Sequence, residues 1–356
     1  MTSYAEFTLA AIQAAPVYFD RDASTEKACG LIDDAARQGA TLAAFGETWL
    51  PGYPFFAGGM SSPLWAEAAA EYIANAVEIP SPTTDKLCAA ARKAGIDVVI
   101  GIVEREPRTS GTVYCTLLFI GREGVILGRH RKLKPTTAER IIWGEGDALG
   151  LRVHQRPYAR ISGLNCWEHN MVLPGYVLMD GGTQIHVGAW PGGNPSRQLV
   201  LSQAFASQGA CYVIVAGGLG QPEHVPERYR ELAADWAGDS YIIDPWGNVV
   251  AGPAQGETIL TATGSLETVY TAKAVCDVAG HYSRPDILQL HVNRRAAERV
   301  IESSQSNGSG LSQKISAHSQ QKLSDSYDAN LSPIEYRDGK GENLREEQSQ
   351  AIIQGC

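Results

Sequence analysis

The sequence predicts an α/β protein whose sheet contains both parallel and antiparallel strands. Short apolar runs typical of strands alternate with longer stretches in which apolar residues recur at helical spacing, the pattern of strands joined by helices. Two other pairs of strand-like segments are separated only by the turns Gly-Arg-Glu at residues 121–123 and Pro-Trp-Gly at residues 245–247, which indicates antiparallel hairpins. Together these observations predict one domain that extends to about Val300.

The first half of this domain begins with a strand and a helix. Residues 8–15 read as a buried strand, and residues 24–38 carry apolar positions at helical spacing after Ser24, a residue type that often caps a helix. The elements predicted next are a strand over residues 41–45, helices over 65–77 and 85–94, a strand over 97–103, and hairpin strands over 113–120 and 124–129.

The second half continues the alternation. The predicted elements are a strand over residues 160–164, a helix near 174–180, a strand over 184–189, a helix over 197–208, a strand over 212–216, and hairpin strands over 241–244 and 248–250.

The composition changes beyond Glu302. The chain there is rich in Ser, Gln, Asn, Gly and mixed charge, with few aromatic residues to bury. We therefore predict a folded domain over residues 1–302 and a flexible, disordered tail over residues 303–356.

The overall composition favours a small-molecule partner. The formal charge of -9 argues against nucleic-acid binding, which needs a basic face. The chain contains no run of eighteen apolar residues and no secretory signal, so we expect no membrane association. Its seven cysteines include no C-x-x-C pair, which is typical of free thiols in a reducing compartment. We expect a cytoplasmic protein without a zinc site.

The sequence also lacks the common cofactor motifs. It contains no G-x-G-x-x-G, P-loop, H-E-x-x-H or G-x-S-x-G pattern, so nucleotide-binding, zinc-protease and serine-hydrolase functions lack support. No cofactor and no metal are expected.

Cys166 is the strongest candidate for a nucleophile. It lies in Gly-Leu-Asn-Cys-Trp-Glu-His at residues 163–169, where an apolar strand ends and a helix begins. A sharp turn of this kind exposes a thiol, and its backbone N–H groups can stabilise a developing negative charge. Most buried cysteines are inert packing residues, so Cys166 is a convincing candidate nucleophile only if other residues of the site can activate it.

Two charged residues in similar positions are candidate partners. Glu47 follows the strand over residues 41–45, and Lys132 follows the strand over residues 124–129. Taken singly, Glu47 reads as a loop carboxylate in water and Lys132 as part of a basic surface patch that also contains Lys134. Glu47, Lys132 and Cys166, however, each follow a predicted strand. Residues in such positions can converge at one edge of a sheet, where open α/β sheets place their sites.

The motifs around these residues resemble those of the nitrilase superfamily. They are Phe-Gly-Glu-Thr-Trp-Leu-Pro-Gly-Tyr-Pro at 45–54, Arg-Lys-Leu-Lys-Pro-Thr at 131–136, Glu-Arg-Ile-Ile-Trp-Gly-Glu-Gly-Asp at 139–147, and Leu-Asn-Cys-Trp-Glu-His at 164–169. Ser-Tyr-Ile-Ile-Asp-Pro-Trp-Gly-Asn at 240–248 and Arg-Pro-Asp-Ile-Leu at 284–288 look like the family's late strand and closing segment. The resemblance covers the chain from Thr8 to about Asn293.

This resemblance implies a fold, an assembly and an activity. The fold is an α-β-β-α sandwich with mixed sheets that dimerises and builds larger homo-oligomers. The activity is hydrolysis of an organic nitrile to the carboxylic acid and ammonia, with Cys166 as nucleophile, Glu47 as general base and Lys132 as the group that stabilises charge or donates a proton. Glu139 matches an assisting glutamate of the family, although it also reads as an exposed helix carboxylate.

The resemblance further implies a substrate pocket. Trp143 and Trp190 match positions that line it, and Tyr53 and Trp167 belong to the matching motifs. Asn170 departs from the aromatic residue or Leu common at its position, which predicts a more polar pocket wall.

Three alternatives remain open on the sequence alone. An amidase or N-carbamoyl amine hydrolase would use the same fold and triad. A catalytically silent scaffold would recruit partners through the tail. A Cys-His dyad of Cys166 and His169 ranks below the Glu-Lys-Cys triad because no orienting carboxylate accompanies the histidine.

Overall fold

The computed structural model describes residues 4–233, 235–295 and 300. Over these residues the chain forms six α-helices. They are α1 (Arg21–Arg37), α2 (Trp65–Ala74), α3 (Pro82–Ala94), α4 (Val172–Asp180), α5 (Pro195–Gly209) and α6 (Leu266–Val275). None of these described helices is long and apolar enough to cross a lipid bilayer. The predicted tail over residues 303–356 lies outside the described part of the chain.

Most of the β-strands belong to two large sheets. The strands are β1 (Glu6–Gln13), β2 (Leu42–Phe45), β3 (Asp97–Arg105), β4 (Val113–Gly121), β5 (Val125–Arg131), β6 (His154–Gln155), β7 (Arg160–Asn165), β8 (Ile185–Trp190), β9 (Tyr212–Gly217), β10 (Leu219–Gly220), β11 (Trp236–Ala237), β12 (Tyr241–Ile243), β13 (Val249–Ala251) and β14 (Thr258–Ser265). The first sheet has the order β14-β1-β2-β3-β4-β5, the second has the order β13-β12-β9-β8-β7-β6, and β10 pairs with β11.

Both large sheets are mixed, which confirms the prediction. In the first sheet β2 runs parallel to β1 and β3, whereas β4 is antiparallel to both β3 and β5. In the second sheet β8 runs parallel to β7 and β9, and β12 is antiparallel to β9. The two predicted hairpins are present as the pairs β4-β5 and β12-β13.

The two sheets pack face to face. Leu9 and Ala11 of β1 share one buried cluster with Val187 of β8 and Ile214 of β9. Since successive side chains of a strand point to opposite faces, the intervening Ile12 of β1 faces away from this interior. The layer between the sheets is therefore an apolar core built from both.

Helices cover the outer faces of the sheets. Ile12 packs in a cluster with Ile32 of α1 and Leu87 of α3, outside the first sheet. Leu164 of β7 packs in another cluster with Phe205 of α5, outside the second sheet. The order helix, sheet, sheet, helix is the predicted α-β-β-α sandwich.

The predicted start of the first helix is wrong. Helix α1 begins at Arg21, and the Asp20 side chain caps it by accepting the backbone N–H of Ala23 at 2.8 Å. Ser24 lies one turn inside the helix, where its hydroxyl donates to the Val17 carbonyl at 2.8 Å. Aspartate and serine both suit the N-cap position. The Ser24 hydroxyl is not available as a cap because it is hydrogen-bonded to the Val17 carbonyl.

The topology directs several strands to one edge of the sandwich. Strand β5 is antiparallel to β4, which is antiparallel to β3, so β5 runs in the same direction as β2. Across the sandwich, the backbone N–H of Glu47, just after β2, donates to the carbonyl of Trp190 at the end of β8 at 3.2 Å. The carboxyl ends of strands from both sheets therefore meet at this edge.

Candidate active site

The three predicted triad residues lie at this shared edge. Glu47 follows β2, Lys132 follows β5, and Cys166 follows β7. All three are buried, with exposed fractions of 2%, 1% and 4%. Neither a loop carboxylate in water nor a surface lysine would be so enclosed, and the geometry excludes both of these simpler interpretations.

Lys132 lies between two carboxylates. Its Nζ is 2.8 Å from Oε1 of Glu47 and 2.7 Å from Oε2 of Glu139. Burial opposes the charged ammonium, but nearby negative charge, first that of Glu47 and then that of Glu139, outweighs it and raises the Lys132 pKa well above its usual value. The side chain is therefore a fixed cation at neutral pH.

Glu47 is a buried carboxylate with a raised pKa. Burial raises its pKa to about 7, and the Lys132 charge only partly opposes this shift. Its Oε1 accepts from Lys132 and from the thiol of Cys115, whereas its buried Oε2 has no hydrogen-bond partner in the described part of the chain. A carboxylate that titrates near neutrality can both take and return a proton.

Cys166 occupies a strained turn. Its φ is +43°, a conformation that non-glycine residues rarely adopt, where β7 passes into the 3₁₀ helix Cys166–Asn170. Burial, followed by the charge of Glu47, raises the pKa of its thiol well above the usual value, while Lys132 and the backbone N–H of Trp167 oppose the shift. A thiol whose pKa is raised in this way keeps its proton at neutral pH.

Glu168 joins the Cys166 turn to the segment that carries Lys132. Its buried carboxylate accepts from the backbone N–H of Asn165 at 2.8 Å, from that of Leu133 at 2.9 Å, and lies 3.0 Å from Nε2 of His130. Sequence reasoning missed this function. The available signal was the position of Glu168 two residues after Cys166, but local spacing does not indicate partners more than thirty residues away.

His169 is engaged away from the thiol. Its Nδ1 donates to the Cys166 carbonyl at 2.6 Å, and its Nε2 lies 3.1 Å from Nε2 of His186. Burial lowers the His169 pKa to about 4. Both ring nitrogens of His169 are therefore engaged by groups other than the Cys166 thiol.

Glu139 is part of the buried cluster. Its Oε1 accepts from the Tyr53 hydroxyl at 2.7 Å, and its Oε2 accepts from the backbone N–H of Thr136 at 2.7 Å as well as from Lys132. Only 3% of the residue is exposed, so the interpretation as an exposed helix carboxylate is wrong. Lys134, by contrast, lies at the surface and pairs with Glu145.

A narrow cleft leads to Glu47. It is lined by Pro16, Tyr18, Glu47, Trp49, Tyr53, Pro191, Gly218 and Leu219. Of the predicted pocket residues, Tyr53 lines this cleft directly. The Trp143 ring lies behind it, edge to face with Tyr53 at 5.8 Å between ring centroids and 5.3 Å from Nζ of Lys132.

The other predicted pocket residues occupy different surroundings. The buried Trp190 ring stacks on His169 with 5.0 Å between ring centroids. The guanidinium of Arg197 lies 5.3 Å from the half-buried Trp167 ring and donates to Oδ1 of Asn170 at 3.3 Å. Asn170 is exposed, so the structure places it at the surface beside Arg197, outside the set that lines the cleft.

The described residues contain no group of three or more His, Cys, Asp or Glu side chains arranged to hold a metal ion.

Comparisons with known proteins identify the family to which the chain is similar. Residues 8–274 match the carbon-nitrogen hydrolase family. The chain is 55% identical over 304 residues to "Nitrilase 2" of an unknown prokaryotic organism, covering 85% of this chain and 97% of that protein. It is 37% identical over 308 residues to an aliphatic nitrilase of Rhodococcus rhodochrous, covering 81% and 83% of the two chains. The fold resembles that of Saccharomyces cerevisiae Nit3, a member of branch 10 of the nitrilase superfamily, with a TM-score of 0.66 and 18% identity over 78% of this chain and 97% of that chain.

Proposed function

This chain belongs to the carbon-nitrogen hydrolase family, and we propose that it is a nitrilase that acts through a covalent intermediate on Cys166. Relatives at 55% and 37% identity are nitrilases, which supports hydrolysis of carbon-nitrogen bonds in nitriles. The observation that carries the proposed mechanism is the position of Lys132, whose Nζ lies 2.8 Å from Glu47 and 2.7 Å from Glu139 at the sheet edge where Cys166 follows β7.

The first step forms a bond between sulfur and the nitrile carbon. Oε2 of Glu47 takes the thiol proton as Sγ of Cys166 attacks, because a thiol with a raised pKa is a poor nucleophile without a base. Negative charge develops on the nitrile nitrogen, where the ammonium of Lys132 stabilises it and supplies a proton. The product of this step is a thioimidate.

Water completes the reaction in two stages. One water adds to the thioimidate carbon, and the resulting tetrahedral intermediate expels ammonia to leave a thioester. Glu47 can serve as the base for each water because it first passes the thiol proton to the Lys132 amine, which had protonated the nitrogen, and later gives the first water's proton to the departing ammonia. A second water then releases the carboxylic acid, and Glu47 returns that water's proton to Cys166 as the C–S bond breaks. If the C–S bond breaks before ammonia leaves, the product is the amide instead.

Glu139 is proposed as an assisting residue. Its carboxylate is the second one that binds the Lys132 ammonium, and the Tyr53 hydroxyl and the Thr136 N–H donate to this carboxylate in turn. This arrangement keeps the ammonium in place while Glu47 changes protonation. The ring of Trp143 covers the same ammonium.

Assembly and location are also proposals. The family resemblance supports a homo-oligomer built from dimers whose core contacts lie before Glu302. The described cysteines are all free, which supports a reducing, cytoplasmic location.

Matched nitrile and amide pairs test this function. Aliphatic, aromatic and arylacetonitrile substrates are compared with their amides by kcat/KM and ammonia release, and mass spectrometry of a slow nitrile should detect an adduct on Cys166. We expect acid plus ammonia as the main products, because a linear nitrile can be attacked without the loss of planarity that an amide requires. Faster turnover of every amide with no nitrile turnover would instead identify an amidase or N-carbamoyl amine hydrolase.

A further inference from the structure

A second buried cysteine touches the catalytic pair. Cys115 of β4 is fully buried, and its thiol donates to Oε1 of Glu47 at 3.4 Å. Its backbone carbonyl accepts the N–H of Lys132 at 2.8 Å. One residue that the mechanism does not use therefore contacts both charged members of the triad.

The two oxygens of Glu47 are consequently not equivalent. Oε1 accepts from the Lys132 ammonium at 2.8 Å and from the Cys115 thiol, whereas Oε2 is buried without a partner in the described residues. A proton on Oε1 would point at two donors and break at least one of these hydrogen bonds. A proton on Oε2 leaves both bonds intact, because the carbonyl form of Oε1 still accepts them.

We propose that Cys115 is a positioning residue that reserves Oε2 of Glu47 as the atom that accepts the Cys166 proton. This inference rests on the proposed role of Glu47 as the base. Cys115 acts through Glu47 and does not touch the substrate.

A thiol suits this position. Burial, and then the charge of Glu47, raise the Cys115 pKa well above its usual value, so the thiol keeps its proton and remains a donor at neutral pH. An S–H group is a weak donor. It favours the charged carboxylate only slightly, which leaves Glu47 basic enough to remove the thiol proton of Cys166.

The test compares two variants at this position with a matched control. Cys115→Ala removes the donor, Cys115→Ser replaces it with a stronger hydroxyl donor, and Cys211→Ala removes a buried thiol of the outer core next to β9. For each protein, the pH dependence is measured for kcat/KM on a nitrile and for the rate at which iodoacetamide alkylates Cys166, with the modified peptide identified by mass spectrometry. The alkylation arm reports on the base even without nitrile turnover.

The expected result is a shift of the acidic limb in both profiles. Without the Cys115 donor the charged form of Glu47 is less favoured, so the limb should move to higher pH by roughly half a unit to one unit. Cys115→Ser should restore the wild-type limb or place it lower, and Cys211→Ala should leave it unchanged.

Two results would overturn the inference. One is that Cys115→Ala leaves the acidic limbs of both pH profiles where they are in the wild type. The other is that Cys115→Ser shifts these limbs as Cys115→Ala does. A loss of stability in Cys115→Ala does not hide the outcome, because the serine variant keeps the volume and changes only the donor. If the alkylation limb shifts as expected but the wild type hydrolyses no nitrile, the inference stands and the proposed substrate class fails.

Discussion

Ionised Glu47, the proposed general base, should lower the stability of the folded protein. Its pKa rises from a reference value of 4.5 to about 7 in the folded protein, mainly through burial. At about 1.4 kcal/mol per pKa unit, this difference corresponds to roughly 3 kcal/mol of destabilisation once the group is ionised. Glu47→Gln keeps the shape of the side chain and an oxygen for Lys132, but it cannot ionise.

The direction in which stability changes with pH follows from the number of protons that the folded and unfolded states bind. Below about pH 4.5 both the folded and the unfolded chain carry the proton, and ionisation of Glu47 has no effect on stability. Between pH 4.5 and about 7 the unfolded chain loses the proton while the folded chain keeps it, so wild-type stability falls as pH rises. Above about pH 7 both states have lost this proton, and Glu47 causes no further loss of wild-type stability. Glu47→Gln should therefore exceed the wild-type free energy of unfolding by less than about 1 kcal/mol at pH 5 and by about 3 kcal/mol at pH 8.

Urea unfolding at pH 5, 6, 7 and 8 measures this difference directly. Comparing the two proteins at each pH cancels the contributions of the other titrating groups to stability. The variant Glu67→Gln, which changes an exposed residue of α2, is the control for the loss of one negative charge. Glu47→Gln should also lose nitrile turnover. A stability difference that is constant from pH 5 to pH 8, or one that favours the wild type at pH 8, would refute the assignment of Glu47 as a base with a raised pKa.

Three other predictions concern the nucleophile, the cation and the assembly. Cys166→Ala should abolish turnover and leave the far-UV circular dichroism unchanged, since it deletes the nucleophile and little volume; near wild-type activity would end the mechanism. Lys132→Met should lower kcat/KM by roughly 10²- to 10³-fold through loss of one charge-stabilising donor, whereas Lys134→Met at the surface should not; the opposite pattern would transfer the role to Lys134. Light scattering should find a homo-oligomer at assay concentration, and deletion after Ser303 should leave size and activity unchanged; a fully active monomer would contradict the proposed assembly.

Local patterns predicted much of the fold. The buried strands β1, β3, β4, β8 and β9 carry continuous apolar runs, and their predicted positions agree with the structure within a few residues. Strand β14 and helix α6 were not predicted. Strand β14 is mostly half-exposed and rich in Thr, so its sequence lacks the apolar run of a core strand, and pairing with β1 orders it.

The sequence by itself determined the alternation of strands and helices and the positions of Glu47, Lys132 and Cys166 after separate strands. Only the tertiary structure decided which atoms meet. Cys115 and Glu47 are 68 positions apart, and Glu168 and Leu133 are 35 apart, yet each pair shares a hydrogen bond. Such contacts depend on how two sheets align at one edge, and propensity and periodicity carry no information about that alignment. For the same reason the pKa of Glu47 depends on burial and a neighbouring charge that exist only in the folded chain.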